Sequence, residues 1–317
     1  MDNLAIEKSA LQLGQLHNDV TAGKAFHSIV DRLGAIIDNE ASLPRTKVTL
    51  PRIPTSFRHE LLNLVGDGGQ QGLVPVDNRF IKHLLDALQS TNRELRERAA
   101  FTALNGLLGQ RLLTDEQLQM VIDHVTDNQI LYDHILEPAN RAVFGRSTAL
   151  AGMAMLLYGD RHDYLRLTKD EVYQIMNKSL LVTALERDTR GFVKKAGWAH
   201  TFVQIANIDN ELIQRDDLLR GDKLFLMATL LERYRRVYTP LIMGETESIV
   251  TFTVNLLNLH PIYQRFLLYE LEQWQNALTA HLDSERDWTR VFNYRRLMQA
   301  LAMDSSLPEN VRKYLAN

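Results

Sequence analysis

The sequence predicts an all-α protein: antiparallel helix pairs stacked as a degenerate HEAT/armadillo-like α-α superhelix. Three observations carry this. Apolar residues recur at three- and four-residue steps through most of the 317 positions. No convincing run alternates apolar and polar residues as a strand would. Links between successive periodic segments are short, which makes neighbouring helices antiparallel, and stacked pairs build a solenoid. No strict repeat of fixed period is present, so the predicted repeat is degenerate; the alternative is a compact, non-repetitive helical bundle.

The elements follow in order. Ile6, Ala10, Leu13, Leu16 and Val20 share one helix face. Pro44, Pro51 and Pro54 forbid a continuous helix through that stretch, because each ring removes a donor and clashes with the preceding turn. Gly66, Gly68, Gly69 and Gly72, closed by Pro75, predict a loop. The expected organisation is therefore residues 1–89 as N-terminal helices with irregular Pro/Gly-rich loops, and 90–317 as a helical-repeat body.

In that body Leu95, Ala99, Ala103 and Leu107 step by four, and Leu118, Val121, Ile122 and Val125 continue the pattern. Val143, Ser147, Leu150, Ala154 and Leu157 follow, then Leu224, Ala228, Leu231 and Tyr238, then Tyr263, Leu267, Leu271, Trp274 and Leu278. Thr114 with Gln117, and Thr168 with Glu171, have the spacing of capping boxes. Ser305, Ser306, Leu307 and Pro308 predict the opening of a short last helix.

Composition narrows the function classes. Hydrophobic residues make up 45% and charged residues 24%, enough apolar surface for a core. The net charge of −3 argues against a dedicated nucleic-acid binder, which shows a basic excess. With no cysteine, disulfides, thiolate zinc sites and cysteine nucleophiles are excluded. The N-terminal residues lack a basic region followed by an apolar one, and no run reaches the roughly 18 apolar residues of a membrane span. A cytoplasmic location is the expectation, and the sequon at Asn177 is read as chance within a helix.

The densest chemistry lies between Asp188 and Glu211. A helix is expected from near Gly197, with His200, Gln204, Asn207 and Glu211 at i, i+4, i+7 and i+11 along one polar stripe. Trp198, Phe202, Ile205 and Leu212 are expected on the buried side, so Trp198 and His200 should point in well-separated directions. An imidazole followed by carboxamides suits hydrogen bonding in a groove; the favoured reading of the stripe alone is a face that satisfies backbone groups of a neighbouring helix. Before it, Asp188 and Arg190 are spaced to pair, and Gly191 and Gly197 permit backbone angles closed to other residues. A structural clamp is the favoured role for that turn.

Several motifs fail. His59-Glu60-Leu61-Leu62-Asn63 lacks the second histidine of a zinc-protease helix. Gly145-Arg146-Ser147-Thr148-Ala149 lacks the last glycine and the strand of a nucleophile elbow. The glycines from Gly66 have no following Gly-Lys pair, so they make no phosphate loop. The ten histidines are scattered, so no metal is expected. The runs Arg233-Tyr234-Arg235-Arg236 and Arg295-Arg296 are expected on solvated helix faces.

Three blocks together carry a resemblance: Val143-Phe144-x-Arg146-Ser147, Asp188-x-Arg190-Gly191-Phe192-Val193, and Gly197-Trp198-Ala199-His200. Their residues and spacing resemble the bacterial domain-of-unknown-function family numbered 2785, over about Ser90 to Leu282. The resemblance implies a helical, HEAT-like fold and a cytoplasmic bacterial protein, and it implies no reaction. It also implies a second histidine where this chain has Gln204 and an aspartate where it has Asn207. Carboxamides are weak neutral ligands, so any metal site of the family is not expected here.

The leading expectation is a binding or scaffold module with a polar pocket around Asp188–Glu211, lined by Arg146, Arg190, His200, Gln204 and Asn207. Its partner would be a protein, a peptide or a small polar ligand, with no cofactor, no metal, no membrane and no nucleic acid; the oligomeric state stays open. The alternative is a hydrolase-type enzyme with His200 as general base, oriented by Asp188 or Glu245, and Arg190 or Arg146 holding an anion. A helical-repeat nucleic-acid binder with Trp198 stacking on a base is the third reading.

Overall fold

The computed structural model describes residues 2–66, 73–278 and 282–316, and 69% of it is helical. The helices are α1 Asp2–Thr21, α2 Ile29–Asp38, α3 Thr55–Val65, α4 Asn78–Ala87, α5 Thr102–Gly109, α6 Asp115–Val125, α7 Asn128–Leu131 and α8 Val143–Arg161. They continue as α9 Lys169–Leu185, α10 Thr201–Ile213, α11 Arg220–Arg235, α12 Glu245–Leu259, α13 Pro261–Leu278, α14 Glu285–Met303 and α15 Glu309–Ala316. All-α is therefore the class. The expectation of no strand is corrected: β1 Phe192–Val193 and β2 Gly197–Trp198 form a small antiparallel hairpin. Strands of two residues are too short to leave a period-two pattern in the sequence.

Local chemistry sets the helix limits. Thr114 Oγ1 accepts from Gln117 N (3.2 Å) while Gln117 Oε1 accepts from Thr114 N (3.1 Å), a reciprocal box at the start of α6. Thr168 and Glu171 do the same for α9. Residues 40–54 are non-helical, as the prolines require. The expected glycine loop falls mostly on residues 67–72, outside the described residues. Glu94–Phe101 winds as a π-helix that runs on into α5, where a regular helix was expected. The steps of four from Leu95 to Ala103 suit this wider winding as well as an α-helix, so periodicity alone did not separate them.

The chain divides into two compact units. One comprises Met1–Ala41, Thr183–Leu185 and Ile205–Asn317; the other comprises Ser42–Val182 and Glu186–Gln204. Position 89/90 lies within the second unit.

In the first unit α11 packs against α1 and α2, and α12 against α13 and α14. Every side chain of α11 from Leu224 to Tyr234 is buried. This overturns the expected solvated face at Arg233–Arg236, since a helix surrounded by neighbours has no such face. Arg233 Nη2 donates to both oxygens of Glu40 (2.7 Å each), and Arg236 Nε donates to Asp38 (2.8 Å). Tyr234 is buried, and its hydroxyl donates to Asn293 O (2.9 Å). Tyr238, expected on the apolar face, lies beyond the end of α11 and is exposed. In the second unit α8 packs on α5, α6 and α7, and the π-helix packs on α3 and α4. Val143, Phe144 and Ala199 form a small buried cluster under the hairpin, with Val193 and Ala196 against it.

Candidate functional site

The segment from Glu186 to Thr201 is a clamp built from carboxylates and guanidiniums. α9 stops at Leu185, where Glu186 turns extended. The buried Glu186 carboxylate accepts the backbone N–H groups of Arg187 (3.0 Å) and Asp188 (2.9 Å), closing the turn. From α8, Arg146 reaches the same carboxylate with two parallel bonds: Nε to Oε2 (2.8 Å) and Nη2 to Oε1 (3.1 Å). Arg146 Nη1 also donates to Asp133 O (2.8 Å). Both partners are almost fully buried, so each charge depends on the other for its solvation.

Asp188 is buried and accepts Arg190 Nε on Oδ1 (2.8 Å) and Nη2 on Oδ2 (2.6 Å). These bonds hold the Arg190 guanidinium above its ordinary pKa. Arg190 Nη2 also donates to Asn140 O, and Asp188 O accepts the Thr201 hydroxyl (2.9 Å) at the start of α10.

The hairpin pairs Phe192 with Trp198 and Val193 with Gly197. Two further backbone bonds extend it: Ala199 N to Gly191 O (2.8 Å) and His200 N to Arg190 O (3.0 Å). Gly197 uses the left-handed region expected of it (φ +83°), whereas Gly191 does not. Lys195 and His200 take positive φ as well.

Residues of the π-helix hold this hairpin from beneath. Arg96 is 1% exposed, and its guanidinium donates to Ala196 O (2.6 Å), Trp198 O (3.3 Å), Ser90 O (2.6 Å) and Glu97 Oε1 (2.6 Å). It also lies over the Phe144 ring at 4.3 Å. Burial pulls the Arg96 pKa down, and the Glu97 carboxylate opposes that. Glu97 Oε1 accepts Trp198 N (2.7 Å), and Arg93 Nε donates to Glu97 Oε2 (3.1 Å). Sequence reasoning missed Arg96, Glu97 and Glu186. Their signal was weak: Arg96 and Glu97 sit in the charged run Arg93–Arg98, which has the composition of a solvated face, and Glu186 stands alone just past the apolar run Leu180–Leu185.

On the solvent side stand Phe192 and Trp198, 43% and 38% exposed, edge to face at 5.1 Å. His200 stacks on Trp198 at 4.1 Å with 28° between the planes. This corrects the sequence reading twice. Trp198 is a strand residue at the surface rather than a buried helix residue, and it meets His200 rather than pointing away from it. The cause is the start of α10 at Thr201, not near Gly197, so helical spacing never applied to these two. Phe202, Ile205 and Leu212 are buried as expected, Gln204 and Glu211 are half-buried, and Asn207 is exposed.

The other candidates are placed as follows. Arg146, Asp188 and Arg190 are engaged in the clamp. Glu245 belongs to the first unit, at the start of α12, where it is buried and accepts Met243 N (2.7 Å). Ser147 lies within α8, and His59 within α3. Among the described residues no group of three or more His, Cys, Asp or Glu side chains is arranged to hold a metal ion. No described helix is long and apolar enough to cross a membrane.

Fold and site define an all-α protein in which a short aromatic hairpin is fastened to helices through buried ion pairs. The sequence profile of the family described as "Protein of unknown function (DUF2785)" matches residues 131–303, more than half of the chain, and the chain belongs to that family. No curated protein and no solved structure matches it.

Proposed function

We propose that the chain is a non-catalytic binding module that receives an acidic, extended segment of a partner protein on the hairpin face formed by Phe192, Trp198 and His200. One observation carries this reading: two large aromatic side chains are exposed on a backbone that buried charges lock in place. Rigid exposed aromatics lose little entropy on contact, and Trp, Tyr and Arg dominate binding hot spots. Lys194 and Lys195 in the hairpin turn are exposed and make no ion pair among the described residues, and Arg93 flanks Phe192 at 5.7 Å. Positive charge around an aromatic centre favours an acidic partner.

In this reading the helix pairs act as a degenerate HEAT-like scaffold for the hairpin, in a protein of the bacterial cytoplasm. Asp188, a candidate catalytic group, and Arg190, a candidate ligand-binding group, serve as its fastening.

The test uses the indole N–H signals of the three tryptophans in a nitrogen-15 spectrum. Acidic peptides carrying one leucine or phenylalanine are titrated, with lysine-for-acid peptides as the control. Acidic peptides should shift the Trp198 signal, and the lysine peptides should not. Lys194→Glu with Lys195→Glu should abolish the shift. Peptides that leave Trp198 unmoved, or that bind Trp198→Ala as tightly as the native chain, defeat the proposal.

A further inference from the structure

A second candidate site lies in the first unit. A cleft of about 590 Å³ is lined by the last turn of α1, the turn after it, the start of α11 and the N-terminal half of α13. That is within the roughly 300–1,000 Å³ range of small-molecule sites. Val20, Phe26, Leu224 and Ile262 give it apolar walls. Gly221 lets α11 approach α1 closely beside it, since a Cβ there would stand 2.7 Å from Thr21 Cα. Tyr269 fixes the opposite wall by donating its hydroxyl to His27 O (3.1 Å).

Two guanidiniums, Arg220 and Arg265, line the same cleft, and no carboxylate does. Arg220 Nη1 is steadied 3.0 Å from His260 Nε2. Arg265 is exposed and makes no ion pair or hydrogen bond among the described residues. Asp222, two positions after Arg220, is buried and already accepts Leu219 N (2.8 Å), with His17 Nε2 at 2.7 Å. It is therefore spent on closing the first turn of α11. Two cations with no carboxylate beside them in the cleft favour an anion, and the dipole of α11 adds to the charge of Arg220 in its first turn.

We infer that this cleft binds a small amphipathic carboxylate, with its head between Arg220 and Arg265 and its apolar tail against Phe26, Leu224 and Ile262. Guanidinium is the side chain best matched to a carboxylate head, through paired N–H donors. The apolar walls take up the chain by removing it from water.

The probe is decanoate, titrated calorimetrically into the 317-residue chain, with decanol as the uncharged control. One saturable site is expected, and decanoate should bind about tenfold or more tighter than decanol, the scale of charge-assisted hydrogen bonds. Arg265→Gln should remove most of that preference and leave decanol binding unchanged. Because Arg265 is exposed and unpaired, this variant tests the head-group site without disturbing a core. Ile262→Trp should block both ligands while the helical circular dichroism stays native. Equal binding of decanol and decanoate, unchanged binding in a folded Ile262→Trp, or an Arg265→Gln that keeps the preference overturns the inference. Loss of this site leaves the hairpin reading untouched, since Trp198 lies in the other unit.

Discussion

The Glu97 carboxylate accepts the backbone N–H of Trp198 at 2.7 Å, across 101 positions of sequence. The same oxygen receives Arg96 Nη2, so one carboxylate joins the π-helix to the hairpin. The exposed tryptophan is thus set by backbone bonds beneath it and not by burial of its own ring.

Gly197→Ala tests that joint. A Cβ at Gly197 would stand 2.3 Å from Glu97 Oε1 and 2.8 Å from Arg93 Cγ, and the backbone there has φ +83°. The left-handed conformation alone costs a residue with a Cβ about 1–2 kcal/mol. Displacing Glu97 adds the loss of its bond to Trp198 N, about 1–3 kcal/mol for a group left unsatisfied. A urea melt should show destabilisation by about 2–5 kcal/mol, the sum of these terms. A variant within about 0.5 kcal/mol of the native protein would mean that the hairpin is not fastened there.

Arg146 and Glu186 form the second joint, and removing one partner should cost more than removing both. Arg146→Ala leaves Glu186 charged in an apolar setting, at about 3–5 kcal/mol. Arg146→Met with Glu186→Leu removes both charges, so most of that loss should return despite the loosened turn at Arg187 and Asp188. A double-mutant cycle by chemical denaturation gives the coupling, and additive single effects would refute a paired role.

The sequence made the helices legible and left the clamp hidden, for a physical reason. Apolar periodicity and capping boxes act within a few residues, so α6 and α9 could be read from Thr114 and Thr168 onward. The contacts that set the hairpin run from Arg96 to Ala196 and from Arg146 to Glu186, and no local pattern encodes a partner so distant in the chain. The one local clue was Val193-Lys-Lys-Ala-Gly197, two lysines before a glycine that can take positive φ, which is hairpin-turn chemistry. Placing Gly197 and Trp198 at a helix start turned Trp198 inward by mistake. The pairing of Asp188 with Arg190 was legible because the two residues are only two positions apart.

Trp198 and Trp274 should respond very unequally to truncation. Trp274 is fully buried on α13, edge to face with Tyr234 (5.7 Å) and Tyr294 (5.2 Å). Trp274→Ala should cost about 3–5 kcal/mol, as large aromatic deletions in cores do. Trp198 donates and accepts only through its backbone in the clamp and leaves 38% of itself exposed. Trp198→Ala should cost about 1 kcal/mol or less, mainly the lost ring contacts with Phe192 and His200. Comparable losses in the two urea melts would return Trp198 to the core and remove the support for a binding face.

Buried acids in the first unit give a dependence on pH. Glu270 and Glu232 are both fully buried. Burial, then the neighbouring Glu232 carboxylate, push the Glu270 carboxyl well above the usual range, against the pull of Arg235 and Arg236. Asp209 is raised as well, by burial. The folded state therefore keeps protons that the unfolded chain releases from about pH 4 upward. The stability this contributes is full below that pH and falls as pH rises toward the folded pKa, by at most about 1.4 kcal/mol per pH unit for each proton. Glu270→Gln keeps the size of the neutral acid and cannot ionise. Its midpoint in thermal melts, relative to the native chain, should rise between pH 5 and pH 8, and Asp209→Asn should add to the rise. A difference that stays flat or falls over that interval would show that Glu270 is charged in the folded protein, with Arg235 and Arg236 outweighing its burial.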